Sequence, residues 1–257
     1  MTFRFMTTLL AAALGAGCTY DWAVTHDGGI TGDASADAAT EAGPTADGAT
    51  SFSCDGAFLC DDFDGPPLGQ TWQDIFLAAG GSVRIEAFAS AASAPSVLFA
   101  SRPAQTVAPA TAYVSSKQFT QNITRGTLLF SVWPEQLDAQ SATCIAGIIF
   151  TDGVGNEHLV RLLVSDGKAS VQEKTPTLTS YPLSSGIPLH AWSRVSLAIQ
   201  AGGNIVVRVN EVTTLDVLAD PSWAASSSTR VFVGINFEDT PIGATAVRFD
   251  NVRYDGS

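Results

Sequence analysis

Side chains able to do chemistry are few and widely spaced in this chain. The 257 residues include three histidines, His26, His158 and His190, and four cysteines, Cys18, Cys54, Cys60 and Cys144. No cysteine pair has the spacing of zinc ligands and the histidines are scattered, so no zinc site is expected. Cleaving a glycosidic bond takes two carboxylates flanking it, about 5 to 10 Å apart. Here the adjacent polar pairs, Glu157 with His158 and Glu238 with Asp239, would point to opposite faces of a strand, as solvated edges do. There is no G-x-S-x-G elbow, and three histidines offer no obvious triad.

The cysteines point to export instead. Residues 1–18, "MTFRFMTTLLAAALGAGC", place Arg4 before an apolar run that ends in small residues, which is the pattern of a secretory signal and too short for a spanning helix. "LGAGC" resembles a bacterial lipobox, in which the cysteine is lipidated and becomes the first mature residue. Leu14 stands one position farther from Cys18 than that pattern places its aliphatic residue, and ordinary cleavage with an incidental cysteine is the alternative. Lipidation would anchor the chain by Cys18 alone, at a bacterial outer membrane or cell surface. Of the other cysteines, Cys54 and Cys60 enclose only "DGAFL" and are expected to form a local disulfide, which leaves Cys144 in "CIAGIIF" as a buried thiol.

Residues 19–53 carry Asp21, Asp27, Asp33, Asp37, Glu41 and Asp47 with no Lys or Arg, half of the formal net charge of −12. Such a stretch has too little apolar surface to offset its ordering entropy, so a disordered acidic linker is expected. The acidic balance of the whole chain disfavours nucleic acid and anionic lipid as partners.

From residue 54 to 257 the pattern changes to short apolar runs of period two, broken by Gly, Pro, Asn and Asp. Val195, Leu197 and Ile199, then "AGGN", then Ile205, Val207 and Val209 read as a hairpin. Asp166-Gly167 predicts a tight turn between strands near 157–165 and 168–175, with positive φ at both positions. Val231, Val233, Ile235 and Phe237 mark a further strand facing the same core. Roughly a dozen strands and almost no helix are expected, which is the spacing of a sandwich.

Three segments in order, "FLCDDFDG…W", "AWSRVSLAIQAGGNIVVRVNEV" and "VFVGINFEDTPIGATAVRFDNVRYDG", resemble the concanavalin A-like lectin/glucanase superfamily in its laminin-G-like form. The resemblance covers about residues 57–255. It implies an all-β, two-sheet antiparallel jelly-roll sandwich in which the first and last strands are adjacent. "FLCDDFD" would be the first strand, apolar residues inward and aspartates at the rim. In the closing strand the apolar phase shifts between Phe249 and Val252, which predicts a β-bulge at Asp250-Asn251. The resemblance also implies a structural calcium held by Asp250 with backbone carbonyls; the alternative is that Asp250 satisfies the bulge amides. Glucanases of the superfamily carry alternating acids of the E-x-D-x-E kind on one strand, and the corresponding "CIAGIIFTDG" is apolar there.

A glycan ligand would need aromatic platforms and polar groups on one face. Trp192 reads as core, whereas Trp133 in "SVWPEQ" and Trp223 in "DPSWAASS" are the candidates for exposure. Alternation points Arg161 and Asn236 outward. The expectation is a monomeric, exported surface lipoprotein whose jelly roll binds a polysaccharide or cell-surface glycan without catalysis. A structural or protein-interaction module, and a glycoside hydrolase or polysaccharide lyase of the same fold, are the alternatives.

Overall fold

The structure, a computed structural model, describes residues 52–65, 67–104, 111–139, 141–175, 177–221, 223, 226–238 and 243–257. Cys18 and nearly all of the expected linker lie outside these residues.

Fifteen strands and one four-residue helix are described, in chain order β1 (Leu59–Asp61), α1 (Leu68–Thr71), β2 (Asp74–Ala78), β3 (Ser82–Ala87), β4 (Ser96–Arg102), β5 (Thr111–Ser115), β6 (Arg125–Gln136), β7 (Thr143–Thr151), β8 (Glu157–Ser165), β9 (Lys168–Thr175), β10 (Thr177–Pro182), β11 (Ser193–Gln200), β12 (Asn204–Val209), β13 (Val212–Leu218), β14 (Ser228–Glu238) and β15 (Thr245–Gly256). Sheet I runs β13-β12-β11-β6-β15-β4-β3, with β1 also paired to β15, and sheet II runs β10-β9-β8-β7-β14-β5-β2. The described pairings are all antiparallel. The result is the jelly-roll sandwich, and β1 lies against β15 as the first and last strands should.

Alternation sets the core. Leu128, Phe130 and Val132 of β6 and Val195, Leu197 and Ile199 of β11 face Ile148 and Phe150 of β7 and Val160 and Leu162 of β8, all at most 1% exposed. Both expected hairpins form at the expected strands. Only Gly167 of the Asp166-Gly167 turn has positive φ, at 65°, so the turn needs one left-handed residue rather than two.

The terminal strand explains its own phase shift. Along one edge β15 pairs with β4 through Thr245–Phe249 and with β1 through Val252–Tyr254, while β6 runs along the other edge. The register slips between Asp250 and Arg253, and Asn251 takes φ 51°. The bulge therefore sits where the neighbour changes.

The first strand departs from expectation in one respect. Asp61 is interior, not at the rim: its carboxylate accepts the Phe63 N–H at 2.8 Å and the indole N–H of Trp72 at 2.7 Å. Trp72, 1% exposed, stacks beside Phe63 at 6.3 Å. An aspartate is admitted here because two donors meet it. Cys60, in this strand, is bonded through sulfur to Cys54 ahead of it, and Cys144 is a buried free thiol.

Candidate functional site

The four residues proposed as ligand contacts fall in three places. Trp223 is a correction: at 6% exposure it is interior, its ring 4.7 Å from that of Phe150 and edge-on to His158 at 5.0 Å. Trp133 is half-buried on the outward face of sheet I, and Trp192, expected in the core, joins it there with Phe88. The indole of Trp192 donates to the Ser90 carbonyl, and the Arg248 guanidinium lies 4.4 Å over Phe88 while pairing with Glu86 and Glu135. These groups satisfy one another, so the cluster reads as a brace between β6, β15 and the segment after β3.

Arg161 lies on the outward face of sheet II, and Asn236 sits on β14 of the same sheet, in the stretch where the β14–β7 register shifts. Across that face Gln172, Arg161, Gly147, Phe232, Ser115 and Asp74 lie side by side on β9, β8, β7, β14, β5 and β2. Arg161 is oriented by Gln172, whose Oε1 accepts from Nε at 3.0 Å and from Nη2 at 2.7 Å. Gly147 leaves room beside it. A Cβ there would meet the Phe232 ring at 2.5 Å, so the missing side chain lets Phe232 lie across β7.

Phe232 belongs to an aromatic series on this same face. Tyr113 meets it edge-on at 5.7 Å and Phe76 stacks on Tyr113 at 4.6 Å. Tyr113, Phe232, Cys144 and Leu163 form a second apolar cluster, apart from the main core, with Phe76, Ile149 and Leu159 packed against it. Burial pushes the Tyr113 phenol far above its usual range, against the pull of the Arg230 charge, so it stays protonated. Gly234, with φ 121°, is the only residue type that fits beside Tyr113, because a Cβ would strike Ala112 O at 2.5 Å. Around this floor the cations Arg161, Lys168, Lys174 and Arg230 come from the outward positions of β8, β9 and β14, and Glu157 faces Arg230 at 3.5 Å. Sequence reading missed Tyr113 and Phe232, although the unbroken apolar run "VFVGI" is the mark of a strand covered on both faces.

Inside the sandwich, His158 and Glu173 form a buried pair. The imidazole Nε2 lies 3.0 Å from Glu173 Oε1 without the alignment of a hydrogen bond, so the contact is electrostatic. Glu173 also accepts the Asp220 N–H at 2.7 Å and the Tyr181 hydroxyl at 3.1 Å. Desolvation alone would raise its pKa, but His158 and the two donors hold it below the usual carboxylate value. His158 is thus an interior residue, not the solvated edge its position beside Glu157 suggests.

Asp250 is fully buried and accepts Ser93 N–H at 2.6 Å, Ser93 Oγ–H at 2.8 Å and Asn251 N–H at 2.7 Å. Desolvation raises its pKa to about 6, with a further push from the Asp64 charge. Among the described residues no group of three or more His, Cys, Asp or Glu is placed to hold a metal. For calcium, Asp250 and Asp64 are the carboxylates at hand. Both of Asp250's oxygens already accept N–H or O–H donors, so the ion would need one of the Ser93 contacts to open and carbonyls to complete its shell.

No family model matches the chain, and no curated protein sequence does. Solved structures match its fold. The endo-β-1,4-glucuronan lyase of the fungus Trichoderma reesei superposes with a TM-score of 0.61 at 14% identity, over 78% of this chain and 96% of that one. A cellulose-induced protein matches with a TM-score of 0.55 at 14% identity, over 77% and 97%. A family 7 alginate lyase in complex with product matches with a TM-score of 0.51 at 15% identity, over 67% and 83%. The chain therefore shares the fold of these structures, a two-sheet jelly-roll sandwich.

Proposed function

We propose that the chain is a non-catalytic module that holds an acidic polysaccharide against the outward face of sheet II. The observation that carries this reading is the Arg161–Gln172 pair, a guanidinium fixed in place on the outward face beside Gly147, over which the buried Phe232 ring lies. A guanidinium so oriented suits a carboxylate, and the amide and serine groups suit hydroxyls. Four cations on one face of a chain of net charge −12 favour an anionic polymer over a neutral one. The solved structures named for glucuronan and alginate lyases share the fold and lend support to this ligand class.

Catalysis has less behind it. Removing a proton beside a uronate carboxylate takes a base, and the phenol on this face, Tyr113, is buried between Phe76 and Phe232. The lyase alternative rests on the shared fold and on that one phenol. In the same proposal, the module is exported and tethered by lipid on Cys18 through the acidic linker, which would place the face outside the cell; Cys18→Ser should then release the protein from the membrane fraction, and unchanged fractionation would count against the anchor.

Calorimetric titration of the purified protein with glucuronan, alginate and cellulose oligosaccharides tests the ligand. The expected result is binding to the uronates that weakens with salt and falls about 10- to 100-fold in Arg161→Ala, the loss of one charge-assisted contact. Equal binding of neutral and acidic oligosaccharides would reject the acidic ligand. No binding to any of them would favour a structural module, and unsaturated products would establish a lyase.

A further inference from the structure

A cleft of about 330 Å³ opens at the end of the outward face of sheet II, beside the β8–β9 turn. Leu163, Ser165 and Ser170 line it from the sheet, and the Pro182–Gly186 segment faces them. That wall is fixed by backbone rather than by side chains. Leu183 N–H donates to Ala169 O of sheet II at 3.0 Å, and Ser184 N–H donates to Thr214 O of sheet I at 3.0 Å. A Cβ on Gly186 would meet Gly167 O at 2.5 Å, so the segment lies directly against the turn. The volume is at the small end of ligand pockets, enough for one or two sugar rings.

Its lining is specific in character. Ser165, Ser170 and Ser184 line it together with the apolar Leu163, Pro182 and Leu183, and Lys168 supplies one positive charge. Lys168 is exposed and makes no ion pair among the described residues. The next outward pair along the same two strands is Arg161 with Gln172, so the cleft continues the candidate face. Lys168 and Gln172 are four residues apart on β9, which sets Lys168 and the Arg161 pair roughly 13 Å from each other.

We propose that this cleft is a subsite for one uronate unit of the bound polymer, with Lys168 taking its carboxylate and Ser170 and Ser184 its hydroxyls. The inference rests on the polysaccharide-binding reading above and adds a second cation-bearing position to it. A polymer with a carboxylate on every unit offers a partner to Arg161 and to Lys168 at once; a neutral polymer offers one to neither.

The test is calorimetric titration of the full chain with glucuronan oligosaccharides of two to six units, with cello-oligosaccharides and a sulfated oligosaccharide alongside. Lys168→Gln keeps the fold and removes the charge, and Ser170→Trp fills the cleft from an outward position. Both should weaken the longer uronates about tenfold, as loss of one charged contact does, and leave the shortest, held at Arg161, unchanged. Wild-type affinity in both variants, with binding lost in Arg161→Ala, would overturn the subsite and leave the face standing. Preference for the sulfated sugar would overturn the carboxylate assignment. Failure of the wild-type chain to bind any uronate would overturn the subsite and the reading it rests on together.

Discussion

Ser93 and Asp250, 157 residues apart in sequence, close the seam in sheet I where β15 exchanges β4 for β1. The Asp250 carboxylate takes both the backbone N–H and the hydroxyl of Ser93, at 2.6 and 2.8 Å, and the N–H of the bulged Asn251. Asp64, in the segment after β1, accepts Ser96 N–H at 2.7 Å on the other side of the seam. Two aspartates thus join the segment before β4 to the strands at both ends of the chain.

This geometry predicts a pH dependence of definite sign. Desolvation raises the folded pKa of Asp250 from 3.8 to about 6, so between these values the folded state binds more protons than the unfolded state. Stability contributed by this group therefore falls as pH rises through that window and levels above it, by an amount on the order of 2 kcal/mol. Denaturation of wild type and Asp250→Asn in chelator, from pH 4 to pH 7, checks it. The variant should gain on wild type as pH rises, and a difference independent of pH would show an unshifted carboxylate.

Calcium would reverse that trend. An ion bound between Asp250 and Asp64 needs the ionised carboxylate and binds the folded state, so stability should rise with free calcium, by about 2.7 kcal/mol at a hundredfold excess over the dissociation constant. Asp250→Asn should remove the response. Identical melting of the wild type in calcium and in chelator would reject the metal and leave the Ser93 and Asn251 contacts as the whole role of Asp250.

The pair Asp61 and Trp72 should be coupled, because each is buried and each satisfies the other at 2.7 Å. Trp72→Phe leaves a buried carboxylate with one donor fewer, and Asp61→Ala strands an indole N–H and the Phe63 N–H. Each single change should cost about 1–3 kcal/mol. A double-mutant cycle should return a coupling of about 1 kcal/mol or more, since residues sharing a hydrogen bond are not additive. Additive losses would mean that the indole and the carboxylate act independently.

How far the sequence reaches is visible in particular residues. Strand periodicity located β8 and β9 and the inward residues of β11 and β12, and the phase slip between Phe249 and Val252 marked the bulge, because one buried face imposes period two. Arg161 was legible as outward for the same reason. Trp223 and Trp192 were misplaced because a tryptophan in a loop or at a strand's start has no alternation to orient it. Tyr113 and Phe232 were hidden because period two cannot identify an outward face that is itself apolar. The cleft was invisible, since Lys168 and Ser184 meet only through the connection from β10 to β11.

The last prediction concerns His158 and Glu173, whose contact at 3.0 Å lies among apolar neighbours with only Tyr181 and the Asp220 N–H to help. Truncating either partner strands buried polar groups, the Glu173 carboxylate in His158→Leu and the Asp220 N–H and Tyr181 hydroxyl in Glu173→Met, so each single change should cost about 1–3 kcal/mol. The double variant fills the same space with apolar groups and should lose less than either single change. Acid should act through Glu173. Its folded pKa lies below the model-compound 4.5 because His158 and the two donors outweigh desolvation, so its contribution is complete above about pH 4.5 and is lost as pH falls through the folded value. Glu173→Gln should flatten that acid limb, measured as melting temperature against pH. It should also loosen the Asp220–Trp223 segment, seen as faster amide exchange at Asp220, because the acceptor of that N–H is then uncharged. An acid limb unchanged in Glu173→Gln would assign the loss to other carboxylates and reduce the pair to packing.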